Sequence, residues 1–428
     1  MSNKIGESVR FSDLFEVPIR NGLFRPIACR GEGVKMVNMG EIFAYGRIND
    51  VEMELVPLVE PEEARFILRQ GDLLFARASL SDGAGKCCIF IGNEKTTFES
   101  HVIRVRVNPE IADSRFYYYF LNSNTGKQLI ETIVERTTAS GIRASDLANL
   151  SVPYLKMELQ TKIGDFGDTI DRKIEINQQI SRLLETIGQT IFKRWFVDFE
   201  FPDQNGKPYK TTGGKMVYNE VDEIPEGWKV KRINEIAEVN YGYTQSASTL
   251  PVGPKFLRIT DIQGGKIDWS QVPYCEISKE AVTKYALKSG DIVVARTGAS
   301  TGENVYVEEC PYAVLASYLV RIRFEDQNLA RYVGKFMRSQ RYHDYIEGAI
   351  GGSAQPNASA KTLTDTKLVI PPDSLLMTFG KLIQTFERAK YRNNLEIATL
   401  SKIRDLLIPK FMSGKLRIPI DKENMEAP

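Results

Sequence analysis

The stretch IGDFGDTIDRKIEINQQISRLLETIGQTIFKRWF, Ile163–Phe196, places apolar residues at steps of three and four, the spacing of an amphipathic helix. Its seam reads Ile163, Phe166, Ile170, Ile174, Asn177, Ile180, Leu184, Ile187, Ile191. A later run repeats the pattern as Phe379, Leu382, Phe386, Ala389, Asn393, Ile397, Leu400, Ile403, Leu407, and 393 − 177 sets the two asparagines 216 residues apart. Two long helices with one narrow apolar stripe each have little to bury against except each other, so the spacing predicts a helix pair of coiled-coil type. Antiparallel pairing would bring Asn177 and Asn393 together, where each amide satisfies the other and a slipped register strands a polar group in an apolar seam. The alternative places both amides in solvent.

The segments ahead of the helices repeat as well. Gln70-Gly-Asp-Leu-Leu-Phe-Ala-Arg77 corresponds to Ser289-Gly-Asp-Ile-Val-Val-Ala-Arg296, Leu14-Phe-Glu-Val17 to Ile236-Ala-Glu-Val239, and Ser151-Val-Pro153 to Val369-Ile-Pro371. Arg115-Phe116 with Phe120 parallels Arg331-Tyr332 with Phe336. The chain is a tandem repeat in which a globular domain is followed by a long helix. Strands are expected at Val34–Met39, Asp72–Ala76, Cys87–Ile91 and His101–Val107, then at Phe256–Ile262, Asp291–Ala295, Asn304–Val307 and Ala316–Phe324, with helices at Ser114–Glu135 and Asn328–Glu347. The expected class is α+β: two tandem α/β domains separated by two long helices that form an antiparallel coiled coil with pseudo-two-fold symmetry. The expected boundaries are a first domain at 1–155, a helix at 156–201, a linker at 202–224, a second domain at 225–372, a helix at 373–413 and a tail at 414–428.

A net charge of +1 is low for a chain that holds nucleic acid by itself. Residues 1–155 carry 18 basic against 20 acidic residues and residues 222–372 carry 18 against 18, so basic groups would have to gather on one face or come from a partner. Nothing predicts export or membrane insertion. Five cysteines without a CxxC pattern read as reduced thiols of a cytoplasmic protein. No catalytic set assembles. Ser81-Asp-Gly-Ala-Gly-Lys86 lacks phosphate-loop spacing, and neither His101 nor His343 has partners at metal spacing, so no metal site is expected. The acidic stretch Asp198–Asp203 reads as solvated charge.

Recognition residues are sought in the polar loops. Each repeat has a buried strand ending in arginine, Arg77 or Arg296, followed by a loop that differs between the two: Ser79, Ser81 and Lys86 in one, Thr297, Ser300 and Thr301 in the other. A shared scaffold with divergent loops suits a duplicated reader of two different targets. Each arginine either packs the strand end through a salt bridge or contacts phosphate. A second loop carries Thr138, Ser140 and Arg143 in the first repeat and Ser353, Gln355, Asn357 and Lys361 in the second, side chains of the kind that read base edges. A third carries Arg20 and Arg25, or Tyr241, Tyr243, Thr244 and Gln245. The aromatic run Phe116–Phe120 reads as helix core with partly exposed tyrosines.

The twin Gly-Asp-x-x-x-Ala-Arg strands, the helix Ile170-Asp-Arg-Lys-Ile-Glu-Ile-Asn177 running into Phe192-Lys-Arg-Trp-Phe-Val-Asp-Phe199, the closing segment Leu400–Gly414, and Gly352-Ser-Ala-Gln-Pro-Asn357 ahead of Val369-Ile-Pro-Pro372 resemble the specificity subunits of type I restriction-modification systems. The likeness covers nearly the whole chain in order. It implies a non-catalytic DNA reader whose two target-recognition domains each read one half of an asymmetric, interrupted site. It also implies two methyltransferase subunits docked on the helices, with restriction (translocase-nuclease) subunits completing the complex. S-adenosylmethionine, ATP and magnesium would belong to those partners, and this chain would carry no cofactor. The helix faces and Trp195–Phe199 are candidate docking surfaces, with core packing an equal reading for Trp195. The first repeat has Ala-Ser-Gly-Ile-Arg143 where the second has the Gln-Pro-Asn loop, so a base-reading role does not transfer between them. One rival is a non-catalytic coiled-coil scaffold or RNA-binding protein. Another, the recognition half of a single-chain modification enzyme, lacks the expected cofactor and catalytic loops.

Overall fold

The computed structural model describes residues 7–79, 83–136, 140–219, 223–351 and 356–418. The chain forms two units, one of Met1–Ile176 with Glu396–Pro428 and one of Asn177–Leu395. The expected tail at 414–428 lies largely outside the described residues.

In the first unit the apolar run Leu73–Ala76 is unbroken because the strand is buried on both faces. Leu73 and Phe75 enter one core cluster while Leu74 and Ala76 enter another, as the two-residue strand period requires. This strand lies between the antiparallel neighbours Val102–Val105 and Cys87–Phe90, with Arg20–Asn21 and Arg47–Ile48 at the edges. Glu7–Arg10 pairs antiparallel with Ser151–Tyr154 and brings the start of the domain to its end. Where one helix is expected over Ser114–Glu135 there are two, Ser114–Asn122 and Asn124–Glu131. Ser123 breaks them by capping the second, its hydroxyl accepting from the Gly126 N–H. All three tyrosines of the aromatic run are buried, against the expectation of partial exposure.

The second unit repeats this plan. Ile292 and Val294 face one core cluster, Val293 and Ala295 the other, in a sheet ordered Glu238–Tyr241, Leu319–Arg323, Ile292–Ala295, Asn304–Tyr306. The strand expected over Phe256–Ile262 is short, Lys255–Leu257, because Ile259–Asp261 turns into a 3₁₀ helix stapled by Arg258 to Asp261. The helix expected over Asn328–Glu347 is again two, Gln327–Phe336 and Gln340–Ile350.

The first long helix is Met157–Phe196 and the second Asp373–Met412. Each contributes one half to each unit. Within the first unit the two helices meet through Phe166 and Phe411, rings 5.2 Å apart and edge to face, and through Arg404 to Asp171 at 2.6 Å. Ile408, Phe411 and Met412 complete the core cluster that holds Phe75 and Tyr117. Arg47 grips the first helix through Asp168 and Glu175, and the Tyr119 hydroxyl donates to Asp171 at 2.8 Å. Within the second unit Glu185 takes Lys335, Arg338 and Lys390. Burial would raise its carboxyl, but those three cations outweigh burial and hold it well below the usual carboxylate range.

The asparagines meet, though not amide to amide. Asn393 Nδ2 donates to the Asn177 carbonyl at 3.4 Å and to Ser181 Oγ at 3.2 Å. Ile170 and Ile174 are buried, and Leu184, Phe386, Asn393 and Leu400 are half-buried. Three expected seam residues are misplaced: Ile180, Ile187 and Ile403 are 41 %, 44 % and 38 % exposed. An α-helix drifts against a strict heptad, and here the contact line passes through Gly188, beside Lys335 and Ile383, and through Arg404. Phe192, Phe196 and Phe199 are buried with Tyr332, Trp228 and Phe379, and Trp195 packs on Phe379. The aromatic helix end is therefore core. The five cysteines are free thiols. Among the described residues no helix is long and apolar enough to cross a membrane.

Candidate nucleic-acid interface

The Gly-Asp pair that opens each central strand fixes the strand's end. Asp72 is buried and accepts from Arg106 Nε and Nη2, both at 2.6 Å, and from the Arg69 N–H at 2.8 Å. Asp291 repeats the arrangement with Arg323 at 2.7 and 2.8 Å and the Lys288 N–H at 2.8 Å. Removing either carboxylate would leave a largely buried guanidinium unpaired, at a cost of about 3–5 kcal/mol. Arg106 and Arg323 went unread in the sequence; their spacing, 323 − 106 = 217, close to that of the other repeated pairs, was the available signal.

At the far end of the strand, in the second unit, three loops converge on Arg296. Its Nη2 donates to Asn357 Oδ1 at 3.1 Å and its guanidinium lies 4.9 Å from the centre of the Tyr241 ring. The Tyr241 hydroxyl accepts from the Ala360 N–H at 2.8 Å. The backbone follows: the Ala358 N–H donates to the Arg296 carbonyl at 2.8 Å and the Gly298 N–H to that of Pro356 at 2.9 Å. Thr297 bridges to Asn357, and Thr301 Oγ1 donates to the carbonyls of Gly298 and Pro356. The residues Tyr241, Arg296, Thr297, Thr301 and Asn357, expected on separate loops, thus form one rim, with Ser300 and the exposed Lys361 on its loops. Tyr243, Thr244 and Gln245 run away from it. The Tyr243 ring packs on Tyr285 at 5.2 Å, Gln245 donates to the Glu276 carbonyl, and Thr244 is exposed.

The first unit builds its rim from strands. Ala78–Ser79 pairs with Ser140–Gly141, which pairs with Glu135–Arg136. The Ile142 N–H donates to the Arg77 carbonyl at 2.9 Å, and Arg143 pairs with Glu135. Arg77, Ser79, Ser140 and Arg143 are therefore neighbours. The Arg77 side chain is exposed and has no hydrogen-bond or ion-pair partner among the described residues. Lys86 sits at the loop base, its Nζ donating to the Phe43 carbonyl at 2.8 Å. Arg20 and Arg25 are tied elsewhere, Arg20 over the Phe66 ring and Arg25 to Glu62 and the Pro57 carbonyl. Ser81, Thr138, Ser353 and Gln355 lie outside the described residues.

Residues 6–186 and 225–394 match the family model described as the type I restriction modification DNA specificity domain. The chain is 28 % identical over 320 residues, 71 % of its length and 69 % of the relative's, to the MjaIX type I restriction enzyme specificity subunit of Methanocaldococcus jannaschii. It is 21 % identical over 420 residues to the HindI specificity subunit of Haemophilus influenzae, covering 83 % of this chain and 89 % of that one. Its fold matches the crystal structure of the S subunit of a type I restriction-modification system from M. genitalium with a TM-score of 0.56 at 15 % identity, over 96 % of this chain and 97 % of the other. With both repeats matched and the fold shared, the chain belongs to the type I restriction-modification DNA specificity family, whose members are DNA-recognition subunits and not themselves enzymes.

Proposed function

We propose that this subunit reads a two-part, asymmetric duplex site, one half with the rim around Arg77 and the other with the rim around Arg296. The observation that carries the reading is the gathering of loops distant in sequence at the end of the same strand in each unit, on one scaffold but with different side chains. Equal scaffolds with unequal rims call for unequal half-sites. The long helices, of 40 residues each, act as the spacer that fixes the gap between the half-sites. Two methyltransferase subunits dock on the helices. Ile180, Leu183 and Ile187, spaced on one face of the first helix and exposed by 41, 61 and 44 %, are the apolar surface offered to them. The partners bring S-adenosylmethionine, restriction subunits bring ATP and magnesium chemistry, and the assembly works in the cytoplasm, where its DNA lies.

Single-molecule mapping of methylated bases in cells that express this chain with its methyltransferase partner tests the reading. An interrupted asymmetric motif with a constant gap is expected. A continuous motif, or none, overturns it.

A further inference from the structure

A tight turn occupies the same place in each unit. Phe98-Glu-Ser-His-Val102 and Leu315-Ala-Ser-Tyr-Leu319 lead into the strands Val102–Val105 and Leu319–Arg323, with 318 − 101 giving an offset of 217. The Val102 N–H donates to the Glu99 carbonyl at 3.0 Å, and the Leu319 N–H to that of Ala316 at 2.9 Å. His101 and Tyr318 are thus each the third residue of a four-residue turn.

Both turns are locked from two sides by the same bonds. On one side the strand-end arginine donates its backbone N–H to the exposed residue's carbonyl, Arg77 to His101 at 2.8 Å and Arg296 to Tyr318 at 3.0 Å. On the other side Gly22 donates to the Val102 carbonyl at 3.0 Å and Gly242 to that of Leu319 at 3.1 Å. A Cβ on Gly22 would lie 2.2 Å from the Phe98 carbonyl oxygen, and one on Gly242 2.1 Å from that of Ala316. Only glycine permits this approach. The backbone is hydrogen-bonded in the same way in both units, while the side chain it presents differs. His101 is exposed and Tyr318 is 59 % exposed. Among the described residues neither side chain has a hydrogen-bond, ring or ion-pair partner. Imidazole and phenol each offer a flat ring with a group that donates or accepts, and a backbone already bonded in place beside the rim leaves only the side chain to order.

We propose that His101 and Tyr318 are specificity-determining residues, each contacting a base of the half-site read by its own unit. The proposal rests on the two-part reading above, and the experiment separates the two. If the wild-type chain with its methyltransferase partner yields no interrupted motif, the half-site reading itself fails. Given such a motif, Tyr318→Ala is expected to relax discrimination about tenfold or more at one or more positions of one half, with the other half unchanged, and His101→Ala to do the converse. Tyr318→His, which installs the side chain the first turn already carries, is expected to alter the preferred base rather than abolish methylation. Loss of all methylation by a variant with wild-type melting temperature and partner binding also supports the proposal. Loss with lowered melting assigns the turns a structural role and overturns it, as does an unchanged motif in all three variants.

Discussion

Arg77 and Arg296 end the same strand in the two repeats, yet their side chains have different surroundings: one is free in solvent, the other holds Asn357 and lies over Tyr241. Sequence reading left salt bridge and phosphate contact open for both, because the surroundings that decide, Asn357 and Tyr241 for Arg296 and solvent for Arg77, are set by loops distant in the chain. Arg77→Ala should weaken binding to any duplex and reduce the slope of log affinity against log salt by about one, with melting unchanged. Arg296→Ala should lower the melting temperature and loosen recognition in one half-site. Titration with duplex at several salt concentrations, alongside thermal melts, distinguishes the two. A second site is electrostatic. Arg331 Nε donates to Glu387 Oε2 at 3.0 Å, but burial, with the carboxylate of Glu308 close by, pushes the Glu387 carboxyl up from 4.5 to about 8. Between those values the folded chain holds a proton that the unfolded chain has lost, so this group's contribution to stability falls as pH rises through that window and is level above it. Melting temperatures measured from pH 5 to 9 should fall less steeply in Glu387→Gln than in the wild type.

At the scale of elements, the steps of three and four were enough to read two long helices and a repeat. Their contact line was less legible, since a heptad count cannot foresee where a small residue or an ion pair draws the seam aside. Gly167 and Gly188 illustrate this. A Cβ on Gly167 would stand 2.2 Å from the Tyr119 ring, whereas one on Gly188 would meet only Lys335 and Ile383, at 3.4 and 3.5 Å. Gly167→Ala is therefore expected to destabilise by about 1–3 kcal/mol through overpacking. Gly188→Ala should be neutral or stabilise by up to about 1 kcal/mol through helix propensity. Chemical denaturation of both variants provides the check. The drift of the seam also leaves Leu183 the most exposed of Ile180, Leu183 and Ile187, at 61 %. Leu183→Asp should abolish copurification of the methyltransferase subunit without lowering the melting temperature.

Over the whole molecule, the duplication could be read because both copies kept their buried strands and turn glycines. The rims were legible only as separate loops, since convergence is a property of the folded sheet. Exchanging residues 1–155 for those of another family member should change one half of the methylated motif and leave the other, provided the graft keeps counterparts of Arg47 and Tyr119, which seat the domain on its helix. Mapping the chimera's motif tests this. The first unit is discontinuous in the chain, its core completed by Ile408, Phe411 and Met412, whereas the second is the unbroken span Asn177–Leu395. Domains commonly fold in the order in which the ribosome releases them, but here the N-terminal unit lacks part of its interior until translation has passed residue 412. The second unit has its whole span earlier, so the unit that leaves the ribosome first is the last to close.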